Sequence, residues 1–311
     1  MKSVLGASAL TLLLASSAFA AEPESCNKVR FSDVGWTDIT AITAMTSNIL
    51  TALGYETDTQ VLSVPVTYVA MAEGDVDIFL GNWMPTMEAD IAPYRDAGTV
   101  DTVRENLEGA KYTLATNAVL ADAGLKDFAD IAKFKDQLDG KIYGIEPGND
   151  GNRLIIDMID ANNFALEGFE VVESSEQGML AQVARAEENG EGIVFLGWAP
   201  HPMNANFKMT YLTGGDDFFG PNFGGATVWT NTRAGYVAEC PNVGKLLQNL
   251  KFELPMENEI MGAILNDGED ALVAATTWLA ANPDAMIPWL EGVTTRDGGD
   301  AVAAVKASMG M

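Results

Sequence analysis

Histidine is almost missing from this 311-residue chain, where His201 stands alone. That scarcity removes H-E-x-x-H zinc sites and most imidazole acid–base chemistry. No G-x-S-x-G elbow, C-x-x-C pair or phosphate-binding P-loop occurs either, so enzyme chemistry has few candidates, and neither a metal nor a cofactor is expected. Carboxylates alone are plentiful enough to keep a two-carboxylate hydrolase open. Basic residues are scarce as well: 18 Lys and Arg face 44 Asp and Glu, for a net charge of −26. Such a surface repels a phosphate backbone at long range and excludes nucleic acid as a partner. It suits a cationic ligand, and it equally suits plain solubility in an exported protein.

Long apolar runs are also lacking. The one near the start, Val4 to Ala15, follows Lys2 and precedes Ala18, Phe19 and Ala20. It is too short for a span of about 20 residues, and a charged start with a small-x-small end reads as a secretory signal over residues 1–20. Mature protein is then expected from near Ala21, outside the cytosol and not membrane-spanning. Cys26 does not stand in a lipid-attachment position, so no lipid anchor is expected. Only Cys26 and Cys240 are present. An even count in an oxidising compartment reads as one disulfide, which would place both residues in one domain with the other domain made by the chain between them.

About 290 residues remain, enough for two domains of roughly 150 residues each. Strand-like and helix-like runs alternate: Val29 to Val34, then Asp38 to Leu53; Gln60 to Val64, then Val66 to Glu73; Val76 to Leu80, then Pro85 to Tyr94. A second set has strands near Tyr112 to Ala118, Lys141 to Ile145 and Gly192 to Leu196, with helices from Asn152 to Ala161 and Glu176 to Ala186. One more strand, Ala226 to Thr230, precedes a helical tail. The order implies α/β layers, with two crossings, near Ala110 and near Gly220 to Gly225, read as hinges.

One internal echo stands out. Val76 to Pro85 (VDIFLGNWMP) and Gly192 to Pro200 (GIVFLGWAP) each run strand, Gly, Trp, Pro. Ligand crevices in open α/β sheets lie beyond the carboxyl ends of strands, and Pro favours the first turn of a helix. Trp83 and Trp198 are therefore expected at strand-to-helix corners, one from each half, although two buried tryptophans matching by coincidence would look the same. Trp36 follows Gly35 in a third such corner, whereas Trp229, Trp278 and Trp289 fit a core reading. A quaternary ammonium carries no N–H, so a protein holds it with aromatic faces, each contact contributing about 0.5–2 kcal/mol. Asp38, at a helix start, is placed either to oppose that charge or simply to cap the helix. The segment Ile145 to Asn152 (IEPGNDGN) brings glycines between strand and helix, which by itself marks only a turn. His201, between two prolines, is expected near the Trp198 corner but behind it or exposed.

The segments DVGWTDIT (Asp33 to Thr40), DIFLGNWMPT (Asp77 to Thr86), KYTLATN (Lys111 to Asn117), EPGNDGN (Glu146 to Asn152) and FLGWAPHPMN (Phe195 to Asn204) resemble the choline and glycine betaine branch of the periplasmic substrate-binding proteins of ABC transporters, and within it the choline binders. The resemblance covers essentially the whole mature chain. It implies the type II periplasmic binding protein fold, with the ligand in the cleft between two α/β lobes: residues 21–112 and 224–311 in lobe I, 113–223 in lobe II. It implies a box of Trp36, Trp83, Trp198 and Tyr112 around a trimethylammonium group, with Asp38 and Asn149 at the choline hydroxyl. It agrees with a Cys26 to Cys240 bridge. A monomer working with a permease and its ATPase is implied, and no catalysis. A glycine betaine or carnitine binder is the nearest alternative, yet its carboxylate would sit near Asp38 with no Arg or Lys in the five segments except Lys111. A secreted choline-ester hydrolase would need a nucleophile or metal cluster that is not visible.

Overall fold

The computed structural model describes residues 22–311, so the expected export signal lies outside the described residues. The chain opens β1 (Lys28–Asp33), helix Thr37–Ala52, β2 (Glu56–Val61), helix Val64–Glu73, β3 (Ile78–Met84) and helix Glu88–Asp96. The alternation expected from the sequence is there. A second run follows: β4 (Val100–Asn117), β5 (Lys141–Tyr143), helix Asp150–Asp160, β6 (Glu170–Val172), helix Glu176–Asn189, β7 (Val194–Ala199) and β8 (Met209–Tyr211). The chain then returns through β9 (Gly225–Arg233) to a helical tail that includes Leu254–Leu265 and Ala271–Ala281.

All nine strands join one sheet in the order β2-β1-β3-β9-β4-β7-β5-β6, with β8 on β4. Each end is a parallel trio. In the first, β1 lies between β2 and β3; in the second, β5 lies between β6 and β7. The two trios share one strand order, middle strand first in sequence, so the halves repeat a topology and not only a motif. Between them runs an antiparallel ribbon of β9 and β4. Helix Thr37–Ala52 is buried on nearly every face, with Ile39, Ile42, Met45 and Ile49 among its enclosed side chains. Leu53 and Gly54 end it, the glycine in a left-handed conformation that only glycine adopts freely.

The differences from the expected elements have local causes. β2 starts at Glu56 and not Gln60, because it is an edge strand whose outward residues are polar and give no apolar period. The following helix takes Val64, since Pro65 sits in its first turn, where a fixed φ favours helix. β4 is 18 residues long and begins well before Tyr112; its early part carries Asp101, Arg104, Glu105 and Glu108 and so lacks strand periodicity. β6 and β8, three residues each, are too short to signal. The first hinge is thus a continuous strand. Trp289 is buried, but Trp229 and Trp278 are only half-buried and depart from the core reading. Their indole N–H groups reach Thr227 and the Glu259 carboxylate, as an amphipathic ring at a wet boundary does.

Cys26 and Cys240 form a disulfide across a sequence separation of 214 residues, both fully buried. Closing so long a loop restricts the unfolded chain by about 5 kcal/mol in the chain-entropy account. Both cysteines flank the first trio, one just before β1 and the other at the start of helix Pro241–Asn249. Among the described residues no helix is long and apolar enough to cross a membrane.

Candidate functional site

The repeated corner lies on either side of the central ribbon. β3 and β7 are the inner strands of their trios, and each carries its tryptophan as the last residue but one, so Trp83 and Trp198 sit inside the strand ends and not in the corners beyond them. Met84–Pro85 and Ala199–Pro200 follow, both with cis peptide bonds. The first copy has one residue more, Asn82, and β3 absorbs it: its register against β9 slips by one between Phe79 and Asn82. The glycines of the echo permit close packing. A Cβ on Gly81 would lie 2.7 Å from Ile39 Cγ1, and one on Gly197 would lie 2.9 Å from Met209 Cε.

Trp36 is the residue before helix Thr37–Ala52, and Asp38 is its second helical residue. Tyr112 stands where β4 exchanges partners, pairing with β9 up to Lys111 and with β7 from Lys111 to Thr116. These elements converge on one pocket. Its walls are Trp36, Asp38, Trp83, Tyr112, Asn149, Trp198, Ile145 and Asp150. All six residues expected to bind ligand are therefore brought together, joined by two that the sequence did not single out. The four aromatic side chains are each no more than 5% exposed. Tyr112 meets Trp83 and Trp198 edge to face, with ring centroids 6.0 and 6.3 Å away.

The polar groups are few and mostly committed. Asn149 caps helix Asp150–Asp160 by accepting from Asn152 N–H at 3.1 Å, and accepts the Tyr112 hydroxyl at 2.9 Å. Its amide donates to Asp150 Oδ1 at 3.1 Å. Asp38 does not cap its helix: Oδ2 accepts the Trp83 indole N–H at 3.1 Å, and the buried Oδ1 has no partner. Asp150 Oδ2 is likewise unpartnered. Burial pushes the Asp38 carboxyl up to about 8, with the charge of Glu176 adding to the effect. Burial also pushes Asp150 up to about 7. Behind the wall, the fully buried Glu257 is held well above the usual carboxylate range by burial and by Asp38. No basic side chain lines the cavity. Two carboxylates, each with an unpartnered oxygen, amid aromatic faces make a place for a cation that carries at least one hydrogen-bond donor.

The cleft is shut by contacts between the two halves. Trp36 Nε1 donates to Glu146 at 2.8 Å, and Thr37 N and Oγ1 donate to Glu176 at 2.8 and 2.5 Å. On another side Arg153 binds Asp90 at 2.7 Å and the Thr86 carbonyl at 3.2 Å. His201 is buried, packs against Trp198 with ring centroids 4.9 Å apart, and reaches Glu176. It thus stands behind the wall, as its place beside the corner suggested. Glu146 and Asp150 lie within the EPGNDGN segment but were not singled out there. Glu176 and Arg153 carried no signal, since an acidic first helical residue and a surface-type arginine are ordinary.

Three relatives bear on this arrangement. A solved ABC-transporter choline binding protein in complex with choline is 74% identical, covering 93% of this chain and 100% of that one, with a TM-score of 0.92. An ABC-transporter choline binding protein in an unliganded semi-closed conformation is 73% identical over the same shares, with a TM-score of 0.86. Uncharacterized protein ORF1 of Chromohalobacter salexigens is 49% identical over 150 residues, 48% of this chain and 95% of its own length. Residues 27–281, from just before β1 through helix Ala271–Ala281, match a single family whose members serve ABC-type uptake. That match takes in both strand trios, the ribbon between them and every wall of the cavity, and the chain accordingly belongs to the OpuAC family, the substrate-binding domains of ABC-type glycine betaine transport systems.

Proposed function

We propose that the protein captures choline outside the cytoplasm and delivers it to the permease of an ABC importer driven by its ATPase. One observation carries the choice of ligand: an aromatic cavity whose charged groups are both acidic, with Asp38 Oδ1 buried and free to accept a hydroxyl. Trp36, Trp83, Trp198 and Tyr112 enclose the trimethylammonium group, Asp38 accepts the hydroxyl proton, and the remaining Asn149 N–H donates to the hydroxyl oxygen. A betaine places a carboxylate where choline has its hydroxyl, and that carboxylate would meet Asp38 in a desolvated site without a compensating Arg or Lys. The relative seen with choline, at 74% identity, supports this reading.

Lobe I in this proposal comprises residues 21–112 and 224–311, and lobe II residues 113–223. The exchange of partners in β4 beside Tyr112 supports the first boundary. Gly224, left-handed and so close that a Cβ would fall 1.8 Å from the Tyr112 carbonyl oxygen, supports the second. The net charge and the family role agree with a periplasmic protein exported by its N-terminal signal.

Calorimetric titration of choline, acetylcholine, glycine betaine, carnitine and proline betaine tests the assignment. Choline is expected to bind most tightly, and Ala at position 36, 83 or 198 is expected to weaken it by about 1–3 kcal/mol each with the fold intact. Tighter binding of glycine betaine than of choline would overturn the ligand choice.

A further inference from the structure

Helix Thr37–Ala52 has no cap of its own. Its preceding residue, Trp36, offers no side-chain acceptor, and Asp38 turns into the cavity. The cap comes from across the cleft. Glu176, at the first position of helix Glu176–Asn189, extends a wholly buried carboxylate to the far half, where Oε2 accepts Thr37 N–H at 2.8 Å and Oε1 accepts Thr37 Oγ1–H at 2.5 Å. Oε1 also meets His201 Nε2 at 3.1 Å. Met203 N–H donates to His201 Nδ1 at 2.9 Å, so the ring accepts at Nδ1 and carries its proton on Nε2. His201 is therefore a fixed donor that aims the carboxylate. Thr37 lies between Trp36 and Asp38, and gripping it holds two walls of the cavity at once.

We propose that Glu176, aimed by His201, is the positioning residue that latches the closed cleft and sets how long the ligand stays. This deepens the choline reading above and rests on it. Its carboxylate forms three hydrogen bonds, each assisted by its charge and by the positive end of the helix it caps. Opening the cleft breaks the two to Thr37 and returns both groups to water. The same charge stands close to Asp38, so closing the cleft without a cation brings like charges together in a dry site, whereas closing it on a cation relieves them. One side chain thereby makes closure firm with ligand and reluctant without it. Glu176 is not itself among the residues that line the cavity, so its influence should fall on departure and not on encounter.

Stopped-flow kinetics with choline as the probe, on the full mature chain, test this. Glu176→Gln keeps the shape and is expected to raise the dissociation rate at least about tenfold with the association rate within about threefold of wild type. Thr37→Val, which alters no charge, is expected to raise dissociation by a smaller factor; Thr37→Ser is expected to restore it; and the double variant is expected to be no worse than Glu176→Gln alone. A slower association with unchanged dissociation would overturn the latch and leave Glu176 a distant attractive charge. Failure of the wild type to bind choline would instead sink the ligand assignment. The latch is then judged without ligand, by X-ray scattering: Thr37→Val, which breaks the grip and leaves the charges in place, should be more expanded than wild type, and an identical radius of gyration would overturn it.

Discussion

Asp38 answers two demands at once. Its Oδ2 fixes the Trp83 ring by accepting the indole N–H, which leaves the buried Oδ1 unpartnered and open to the proposed hydroxyl. Replacing it with Asn keeps the size and removes the charge, so the repulsion against a betaine carboxylate falls while the attraction to the ammonium falls too. Asp38→Asn is expected to lose choline affinity and to lose less, or to gain, for glycine betaine, narrowing the ratio between them by about tenfold, or roughly 1.4 kcal/mol. Titrating both ligands into both proteins measures it, and equal weakening of the two would remove Asp38 as the discriminator. At this scale the sequence was informative wherever a residue was unusual for its place. A tryptophan one or two residues after a glycine, at or just past a strand end, is such a residue, and three of them disclosed most of the box. Tyr112 was visible only by resemblance, because a tyrosine within a strand is ordinary until the exchange of strand partners beside it is seen. Glu176 and Asp150 stayed hidden among 44 acidic residues, whose number masks the few that are buried.

Among the elements, helix Asp150–Asp160 is set closely against the box. Its second residue, Gly151, lies so near the aromatic wall that a Cβ would fall 2.0 Å from Tyr112 Oη and 2.7 Å from Cζ. The Tyr112 ring has nowhere to retreat, being packed edge to face on Phe219 at 5.7 Å with Gly224 against its backbone. Gly151→Ala should therefore push the ring or the helix out of place and weaken choline binding at least about tenfold. Alanine also raises helix propensity by about 1 kcal/mol, which offsets part of the clash in the ligand-free protein. Affinity and melting temperature are thus expected to part company, the first falling steeply and the second shifting little; calorimetry beside a thermal melt shows it. Unchanged choline affinity would mean that Tyr112 does not contribute to the box. Helix Asp150–Asp160 was legible within a residue or two because its Asn149 cap and apolar period agree, and helix Thr37–Ala52 because Gly35 and Gly54 bracket it. The polar edge strand β2 and the charged first part of β4 were not, because ladder hydrogen bonds to a neighbour hold them and those leave no trace in the side-chain pattern.

For the molecule as a whole, the buried carboxylates tie closure to pH. A solvated Asp titrates near 4, whereas in the closed, ligand-free cavity Asp38 is pushed up to about 8 and Asp150 to about 7. Glu176 crowds the same region and raises Asp38 further, and Asp38 in turn raises the buried Glu257. Closing without ligand therefore takes up protons between about pH 4 and 8, so the closed form is favoured at the low end of that window and penalised as pH rises through it. The ligand-free protein is expected to be more compact by scattering at pH 5 than at pH 8, whereas the choline-saturated protein is equally compact at both, the cation having replaced the proton. A ligand-free radius that does not change between these values would contradict the shift. The ribbon adds a consequence of its own. With the proposed lobe boundary beside Tyr112, that ring would sit at the pivot, where displacement is least, whereas side chains farther from the axis would sweep longer arcs. An arriving ligand would then find one face of its enclosure standing still, dock against it, and be overtaken by the others, the order of assembly following from the distance of each wall from the axle.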